Sequence, residues 1–133
     1  MFKLRTFIVE DSPVILENLV ATLQELADVE VVGAATTETG ALNGWRQRND
    51  ALDLVIIDIF LKTGSGLGVL QQALTMGLRG KRVVLTNYAT PDIRRRCADL
   101  GADRVFDKSS ELDDLLDYCE TLADRAADRR PED

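Results

Sequence analysis

The chain has no histidine and only two cysteines, Cys97 and Cys119, among its 133 residues. A zinc site needs several His or Cys ligands, so the missing histidines and the lack of a Cys-x-x-Cys pair exclude one in practice. A chain of this length can bury enough apolar surface to fold without disulfides. We therefore expect a single domain held together by its core, in a reducing, cytoplasmic setting.

Long apolar runs and an excess of positive charge are also missing. No apolar stretch approaches the length of a membrane span and no signal peptide precedes the first predicted strand, so we expect no membrane association. Lys and Arg number 16 against 23 Asp and Glu, a net charge of −7, which argues against a DNA-binding surface. Without a linker or a repeat, we expect one domain over residues 1–126 and a polar, frayed tail over 127–133.

Short apolar segments alternate with helical patterns five times along the chain. Strands are predicted at residues 4–9, 29–34, 53–58, 81–86 and 104–106. The first helix begins after the Ser12-Pro13 cap, the next three cover 36–49, 67–77 and 91–100, and Ser109 or Ser110 caps the last. Such alternation predicts a parallel sheet with helices on both faces.

The most informative position is Asp58, which ends the apolar third strand. Ligands and chemistry collect at the carboxyl ends of the strands in an open α/β sheet. The loop that follows Asp58 contains Gly64 and Gly66, as expected for a segment that turns away from the sheet. Taken alone, Asp58 is more simply explained as a residue that caps the next turn.

Other strand ends supply polar partners for Asp58. Glu10 and Asp11 follow the first strand, Thr86 ends the fourth and Lys108 follows the fifth. Three carboxylates at one edge repel one another unless a cation neutralises them, and Mg²⁺ prefers such oxygen ligands. A carboxylate beside Mg²⁺ and a lysine is placed to attack a phosphoryl group, with a hydroxyl donor nearby.

These segments resemble the receiver domains of two-component response regulators, over nearly the whole chain and in the stand-alone, chemotaxis-regulator-like form. The matching pieces are Ile8-Val9-Glu10-Asp11-Ser12, Val55-Ile56-Ile57-Asp58, Val83-Val84-Leu85-Thr86, and Gly101-Ala102-Asp103 leading to Asp107-Lys108-Ser109. The resemblance implies a flavodoxin-like (βα)5 three-layer sandwich whose five parallel strands have the order 2-1-3-4-5.

The resemblance also implies roles for individual residues. Asp58 would accept a phosphoryl group from a histidine kinase or a histidine phosphotransfer protein. Glu10, Asp11, Asp58 and the backbone carbonyl of Phe60 would hold Mg²⁺, while Thr86 and Lys108 would contact the phosphoryl oxygens. The signal would pass by conformational change to an unidentified downstream protein or through a phosphorylation-dependent homodimer.

Several positions depart from the family pattern. Lys62 stands where proline is common, so we expect a loop of greater mobility or different shape. Val105 stands where an aromatic switch residue is usual, and Phe106 should point to the opposite face of its strand. The switch candidates are therefore Thr86, Tyr88, Val105 and Phe106.

Two aromatic residues are placed to cover the site. Phe60 and Tyr88 lie two residues after Asp58 and Thr86, on the loops expected to flank the phosphoryl group. Bulky rings there would exclude attacking water. We expect an acyl phosphate with a long lifetime.

A receiver domain is not a conventional enzyme. Two alternatives remain open, and the first of them is a true enzyme. A haloacid-dehalogenase-type phosphatase also uses a nucleophilic Asp, but it has a second acid two residues later, where this chain has Phe60. A pseudo-receiver would act as an interaction module without turning over phosphate. The basic residues between positions 79 and 96 are interpreted as a solvated helix face, with docking of the fourth helix to an acidic partner as the alternative. They are Arg79, Lys81, Arg82, Arg94, Arg95 and Arg96.

Overall fold

Five strands and five helices alternate along the computed structural model, which describes residues 2–129. The strands are β1 (Leu4–Val9), β2 (Val29–Ala35), β3 (Leu54–Ile57), β4 (Lys81–Thr86) and β5 (Arg104–Asp107). The helices are α1 (Pro13–Leu26), α2 (Glu38–Gln47), α3 (Gly66–Met76), α4 (Pro91–Asp99) and α5 (Leu112–Arg129). The elements agree with the predicted ones to within a few residues at their ends.

The strands form one parallel sheet in the order β2-β1-β3-β4-β5. This confirms the predicted flavodoxin-like topology. The strand order reverses between β1 and β3, so the connections that leave these two strands cross to opposite faces of the sheet. A crevice opens between such diverging loops, at the carboxyl ends of the strands.

Apolar side chains cover both faces of the sheet, which explains the uninterrupted apolar run of β3. One core cluster lies between the sheet and α2, α3 and α4, and includes Trp45, Val55 and Ile57. The other lies between the sheet and α1 and α5, and includes Ile56 and Phe106. Because successive residues of a strand point to opposite faces, both faces of a central strand need apolar residues.

Each cysteine is a free thiol buried in a different core cluster. Cys97 of α4 packs on one side of the sheet and Cys119 of α5 on the other. Burial raises the pKa of both thiols, that of Cys119 to about 12. The two residues are packing groups in the core.

The N-termini of α1 to α4 are capped by side chains that the sequence makes recognisable. Ser12 Oγ accepts a hydrogen bond from the N–H of Ile15, and Pro13 occupies the first turn. Thr37, Ser65 and Thr90 cap the next three helices in the same way. These caps satisfy backbone donors that the helix itself leaves without partners.

The start and end of α5 differ from the prediction. Ser109 does not cap the helix, because α5 begins at Leu112 and the residue directly before it is Glu111. The N–H of Ser109 donates to Asp107 Oδ1 at 2.8 Å, and its hydroxyl donates to the same atom. Ser110 lies in the same turn. The helix continues through Arg129, so residues 127–129 of the expected tail are helical. Residues 130–133 of that tail lie outside the described range.

The sequence predicts no membrane association, and the structure tests this for the helices. Within residues 2–129, none of them has both the length and the apolar character required to cross a bilayer.

Gly66, the first residue of α3, lies against the main chain that carries Asp58. A Cβ atom at Gly66 would be 2.2 Å from the carbonyl oxygen of Asp58. A Cβ at Gly40, in the first turn of α2, would meet the Thr37 hydroxyl oxygen at 3.1 Å and the Cβ of Ala35 at 3.7 Å, an ordinary contact distance. A side chain can move away, whereas backbone at a strand end cannot do so without shifting the strand.

We expect Gly66→Ala to lower the free energy of unfolding by about 2 kcal/mol, since overpacking against fixed backbone is destabilising. Gly40→Ala is the control and should stay within about 0.5 kcal/mol of the parent, because the gain in helix propensity offsets the small shift of Thr37. Urea unfolding followed by circular dichroism measures both. Equal effects of the two substitutions would show that the contact with Asp58 is not rigid.

Candidate functional site

The predicted site residues meet at the carboxyl edge of the sheet around the ammonium group of Lys108. Lys108 Nζ forms ion pairs with Glu10 Oε1 and, at 3.1 Å, with Asp58 Oδ2. The main-chain N–H of Lys108 donates to the carbonyl of Thr86 at 2.9 Å. One side chain thereby joins the ends of β1, β3 and β5, and its backbone joins β4.

The three acidic residues differ in how deeply they lie. Glu10 is buried, and its Oε2 accepts the N–H of Ser12 at 3.0 Å. Asp58 is 8 % exposed, and its Oδ1 accepts the N–H of Phe60 at 3.3 Å. Asp11 is half-buried at the mouth of the site, where its Oδ2 accepts the N–H of Lys62 at 2.7 Å. One oxygen from each carboxylate lies within 4.8 Å of the others.

The negative charge of this cluster is incompletely compensated. Burial raises the pKa of Asp58, and Glu10 adds to this effect, while Lys108 and the N–H of Phe60 oppose it. Burial lowers the pKa of Lys108, but its two carboxylate partners outweigh burial and the net direction is upward. Both directions follow from one lysine facing two buried carboxylates, since the cation is well stabilised and Asp58 shares it.

The donor set fits a hard divalent cation. Three carboxylates supply oxygen ligands at compatible separations, and they carry more negative charge than Lys108 neutralises. Oxygen ligands of this kind suit Mg²⁺, whose charge would remove the remaining repulsion. Glu10, Asp11 and Asp58 therefore form an acidic cluster able to hold a metal ion.

Thr86 closes the site from the side of β4. The residue is fully buried, and its hydroxyl oxygen accepts the N–H of Tyr88 at 3.2 Å. Because that oxygen is an acceptor here, the hydroxyl hydrogen remains available to a group in front of Asp58. A cavity of about 210 Å³ lies there, and its walls include Glu10, Asp11, Asp58, Phe60, Thr86, Tyr88 and Lys108.

Phe60 and Tyr88 contact each other across this cavity. Their ring centroids are 4.9 Å apart with an interplanar angle of 74°, an edge-to-face arrangement. Phe60 is 51 % exposed and Tyr88 60 % exposed, so neither ring belongs to the core. The pair links the loop after β3 to the loop after β4.

The four switch candidates separate into two groups. Thr86 and Tyr88 line the cavity. Val105 packs against the α2–α4 side of the core, whereas Phe106 is buried on the α1–α5 side beside Tyr118. As the alternation of the strand predicts, Phe106 points away from Val105, and neither residue lines the cavity.

Arg94 is a structural residue that the sequence interpretation placed on a solvated face. Its guanidinium donates to the carbonyls of Ala89 and Val105, each at 3.0 Å, and forms an ion pair with Glu111. It thereby joins the β4–α4 loop, β5 and the start of α5. A run of three arginines gives no sign of which one turns inward; Arg95 instead pairs with Asp92 on its own helix.

The Lys62 loop is also held in place by contacts that residue type does not reveal. Glu38 Oε1, from the start of α2, accepts the N–H of Ser65 at 2.9 Å, and the N–H of Glu38 donates to the carbonyl of Thr63 at 3.2 Å. Gln72 of α3 donates to the other Glu38 oxygen. Together with the bond from Lys62 to Asp11, these contacts fix the segment where proline was expected.

Comparison with known proteins agrees with this geometry. The family model of the response regulator receiver domain matches residues 6–120. The chain is 32 % identical over 114 residues to the uncharacterized transcriptional regulatory protein YvfU of Bacillus subtilis, covering 86 % of this chain and 56 % of YvfU. It is 30 % identical over 109 residues to the transcriptional regulatory protein DesR of the same organism, covering 82 % of this chain and 53 % of DesR.

This chain thus spans about half the length of the relatives it matches. Among solved structures, the signal receiver domain of NarL from Mycobacterium tuberculosis superposes with a TM-score of 0.81 at 22 % identity. The match covers 98 % of this chain and 100 % of that one. The sequence match over residues 6–120, the strand order and the shared fold show that the chain belongs to the response regulator receiver domain family of two-component signal transduction.

Proposed function

We propose that this chain is a phosphorylation switch in which Asp58 accepts a phosphoryl group from a histidine kinase or a histidine phosphotransfer protein. The observation that carries the proposal is the shared ion pair of Lys108 with Asp58 and Glu10 at the base of the cavity. An Asp58 carboxylate oxygen attacks phosphorus, and the phosphorus–nitrogen bond of the donor breaks with its electron pair going to the imidazole. Attack of water on the acyl phosphate later resets the switch.

Each neighbouring residue has a role in this reaction. Lys108 Nζ neutralises the phosphoryl oxygen nearest to it and holds Asp58 in place beforehand. The Thr86 hydroxyl, which accepts from Tyr88 N–H, donates its hydrogen to a second oxygen. Glu10, Asp11, Asp58 and the carbonyl of Phe60 would hold Mg²⁺, which would offset charge on the transferred group and fix its orientation.

The output of the switch is proposed to pass through protein contact. YvfU and DesR are named transcriptional regulators, and this chain spans about half the length of each. Transcriptional control here would need a DNA-binding partner or domain beyond these 133 residues, because the net charge of −7 does not favour DNA contact. Self-catalysed transfer onto Asp58 followed by hydrolysis requires no further catalytic domain.

Phosphorylation of Asp58 is tested by intact-mass measurement with Mg²⁺ and acetyl phosphate. We expect the gain of one phosphoryl group, and loss of that gain when EDTA replaces Mg²⁺. Asp58→Asn is the control and should gain none, because an amide oxygen does not replace the carboxylate nucleophile. Failure of the parent to gain mass with any donor would favour a phosphate-independent interaction module.

The charge on Asp58 should destabilise the metal-free protein. Since burial raises the pKa of Asp58 above that of an exposed aspartate, its ionised form is less favourable in the folded state than in the unfolded state. We expect Asp58→Asn to raise the unfolding temperature at pH 7 in EDTA. The difference should shrink as the pH falls and Asp58 of the parent becomes protonated.

Scanning calorimetry between pH 4 and pH 7 measures this difference, a range chosen as roughly spanning carboxylate titration. Mg²⁺ should stabilise the parent more than Asp58→Asn, because the variant lacks the negative charge of one carboxylate ligand. A lower unfolding temperature for Asp58→Asn at pH 7 would mean that the ion pair with Lys108 outweighs the cost of burial.

The ring pair of Phe60 and Tyr88 is expected to slow hydrolysis of the acyl phosphate. Both rings line the cavity in front of Asp58 and contact each other, so each helps to exclude water. We expect Phe60→Ala and Tyr88→Ala to shorten the lifetime of the phosphorylated protein. In the double variant, the lifetime should shorten by less than the product of the factors found for the two single variants. The reason is that removal of one ring already opens the cavity.

Decay of phosphorylated protein by intact mass, after removal of the donor, measures these lifetimes. Leu74→Ala is the matched control, because Leu74 is an exposed apolar residue that does not line this cavity. Unchanged lifetimes in both ring variants would contradict shielding.

A further inference from the structure

The main-chain N–H of Lys62 contacts a carboxylate of the acidic cluster from the opposite side of the crevice. It donates to Asp11 Oδ2 at 2.7 Å, although the two residues are 51 positions apart in sequence. Lys62 is exposed, and its side chain takes no part in this bond. A proline at position 62 would have no N–H to donate. The residue type at 62 therefore decides whether this bond exists.

In the described part of the chain, the Asp11 carboxylate is held by fewer hydrogen bonds than the carboxylates of Glu10 and Asp58. Glu10 is held by Lys108 and by the N–H of Ser12, and Asp58 by Lys108 and by the N–H of Phe60. Within residues 2–129, the N–H of Lys62 is the one hydrogen-bond donor that the structure shows for the Asp11 side chain. Without it, this half-buried side chain would be free to rotate toward solvent.

The donor is itself held in position before any ligand arrives. Glu38 accepts the N–H of Ser65, and its own N–H donates to the carbonyl of Thr63. A bridge between Phe60 and Ser65 closes the base of the same loop. A hydrogen-bond donor on a fixed loop restrains the Asp11 carboxylate before an ion binds. Such preorganisation reduces the conformational entropy that the carboxylate loses on binding.

We propose that the main-chain N–H of Lys62 is a positioning group for the metal site, holding the Asp11 carboxylate beside those of Glu10 and Asp58. The inference rests on the proposed function, since it assumes that this cluster holds Mg²⁺. It assigns to the main chain of residue 62 a part in setting the metal affinity that is separate from any effect of its exposed, charged side chain. Contacts of this type with ligating carboxylates commonly contribute 10-fold to 100-fold to metal affinity.

The test compares Lys62→Pro with Lys62→Ala. Both substitutions remove the lysine charge, which would itself alter cation binding, and only proline removes the N–H. We expect Mg²⁺ to bind the unphosphorylated Pro variant about tenfold more weakly than the Ala variant, as measured by NMR titration with MgCl₂. Equal affinities of the two variants would overturn the inference.

A second comparison separates the hydrogen bond from a general distortion of the loop. In an Asp11→Ala background the acceptor is gone, so the Pro and Ala substitutions at 62 should give equal Mg²⁺ affinities. A tenfold difference that persists there would act through another ligand, such as the carbonyl of Phe60, and would overturn the role assigned to Asp11.

The Pro variant must also be folded for the comparison to hold. If its unfolding temperature in EDTA falls well below that of the Ala variant, an amide-to-ester substitution at position 62 replaces it, because an ester removes the N–H without fixing φ. The ester should then give the tenfold loss, and an unchanged affinity would overturn the inference. Absence of Mg²⁺ binding by the parent and the Ala variant alike would instead overturn the metal site itself, and this inference with it.

Discussion

The ammonium group of Lys108, shared by Glu10 and Asp58, is the interaction on which the arrangement of this edge of the sheet depends. Glu10 and Asp58 are 98 and 50 positions from Lys108 in sequence, and each of the three residues follows a different strand. Buried charges are tolerated when they are paired, so the lysine allows two carboxylates to lie where water is largely excluded. The pairing is incomplete, because two buried anions face one cation and Asp11 adds a third. The same imbalance that disfavours the metal-free state would favour the binding of a divalent cation.

This arrangement could be predicted from sequence because a parallel sheet converts strand ends into neighbours. The apolar runs identify the strands, and Glu10, Asp58, Thr86 and Lys108 each lie at or just beyond the end of one. Once the alternation of strands and helices indicates a parallel sheet, all of these ends must lie on one edge. The depth of burial along β3 follows from the same reasoning, since a strand covered on both faces has no polar side. Neither inference requires knowledge of a single side-chain contact.

Contacts made by main-chain groups and long flexible side chains could not be predicted in this way. The N–H groups of Lys62 and Tyr88 orient Asp11 and Thr86, and an N–H is present in every residue except proline. Arg94 resembles its two neighbours in sequence, yet it alone joins Ala89, Val105 and Glu111. Arg82 is buried with its guanidinium 4.7 Å from the centre of the Trp45 ring. Ser109 has the chemistry of a helix cap, but it lies in a turn in which it donates to Asp107, and α5 begins only at Leu112. Each case depends on competition among partners that only the folded chain brings within reach.

The structure places the reacting groups and the groups that cover them in different parts of the fold. Asp58, Lys108 and Glu10 lie at strand ends and are tied to one another through buried ion pairs, so a change in any of them disturbs the others. Phe60 and Tyr88 lie on loops, are mostly exposed and contact each other without taking part in those pairs. Under the proposed function, the first set determines whether a phosphoryl group is accepted and the second how long it remains. The main-chain N–H groups of Phe60 and Tyr88 contact Asp58 and Thr86, but their rings take part in none of the ion pairs. Substitutions that change the rings and keep the main chain can therefore alter the lifetime of the signal while leaving the chemistry of its formation intact.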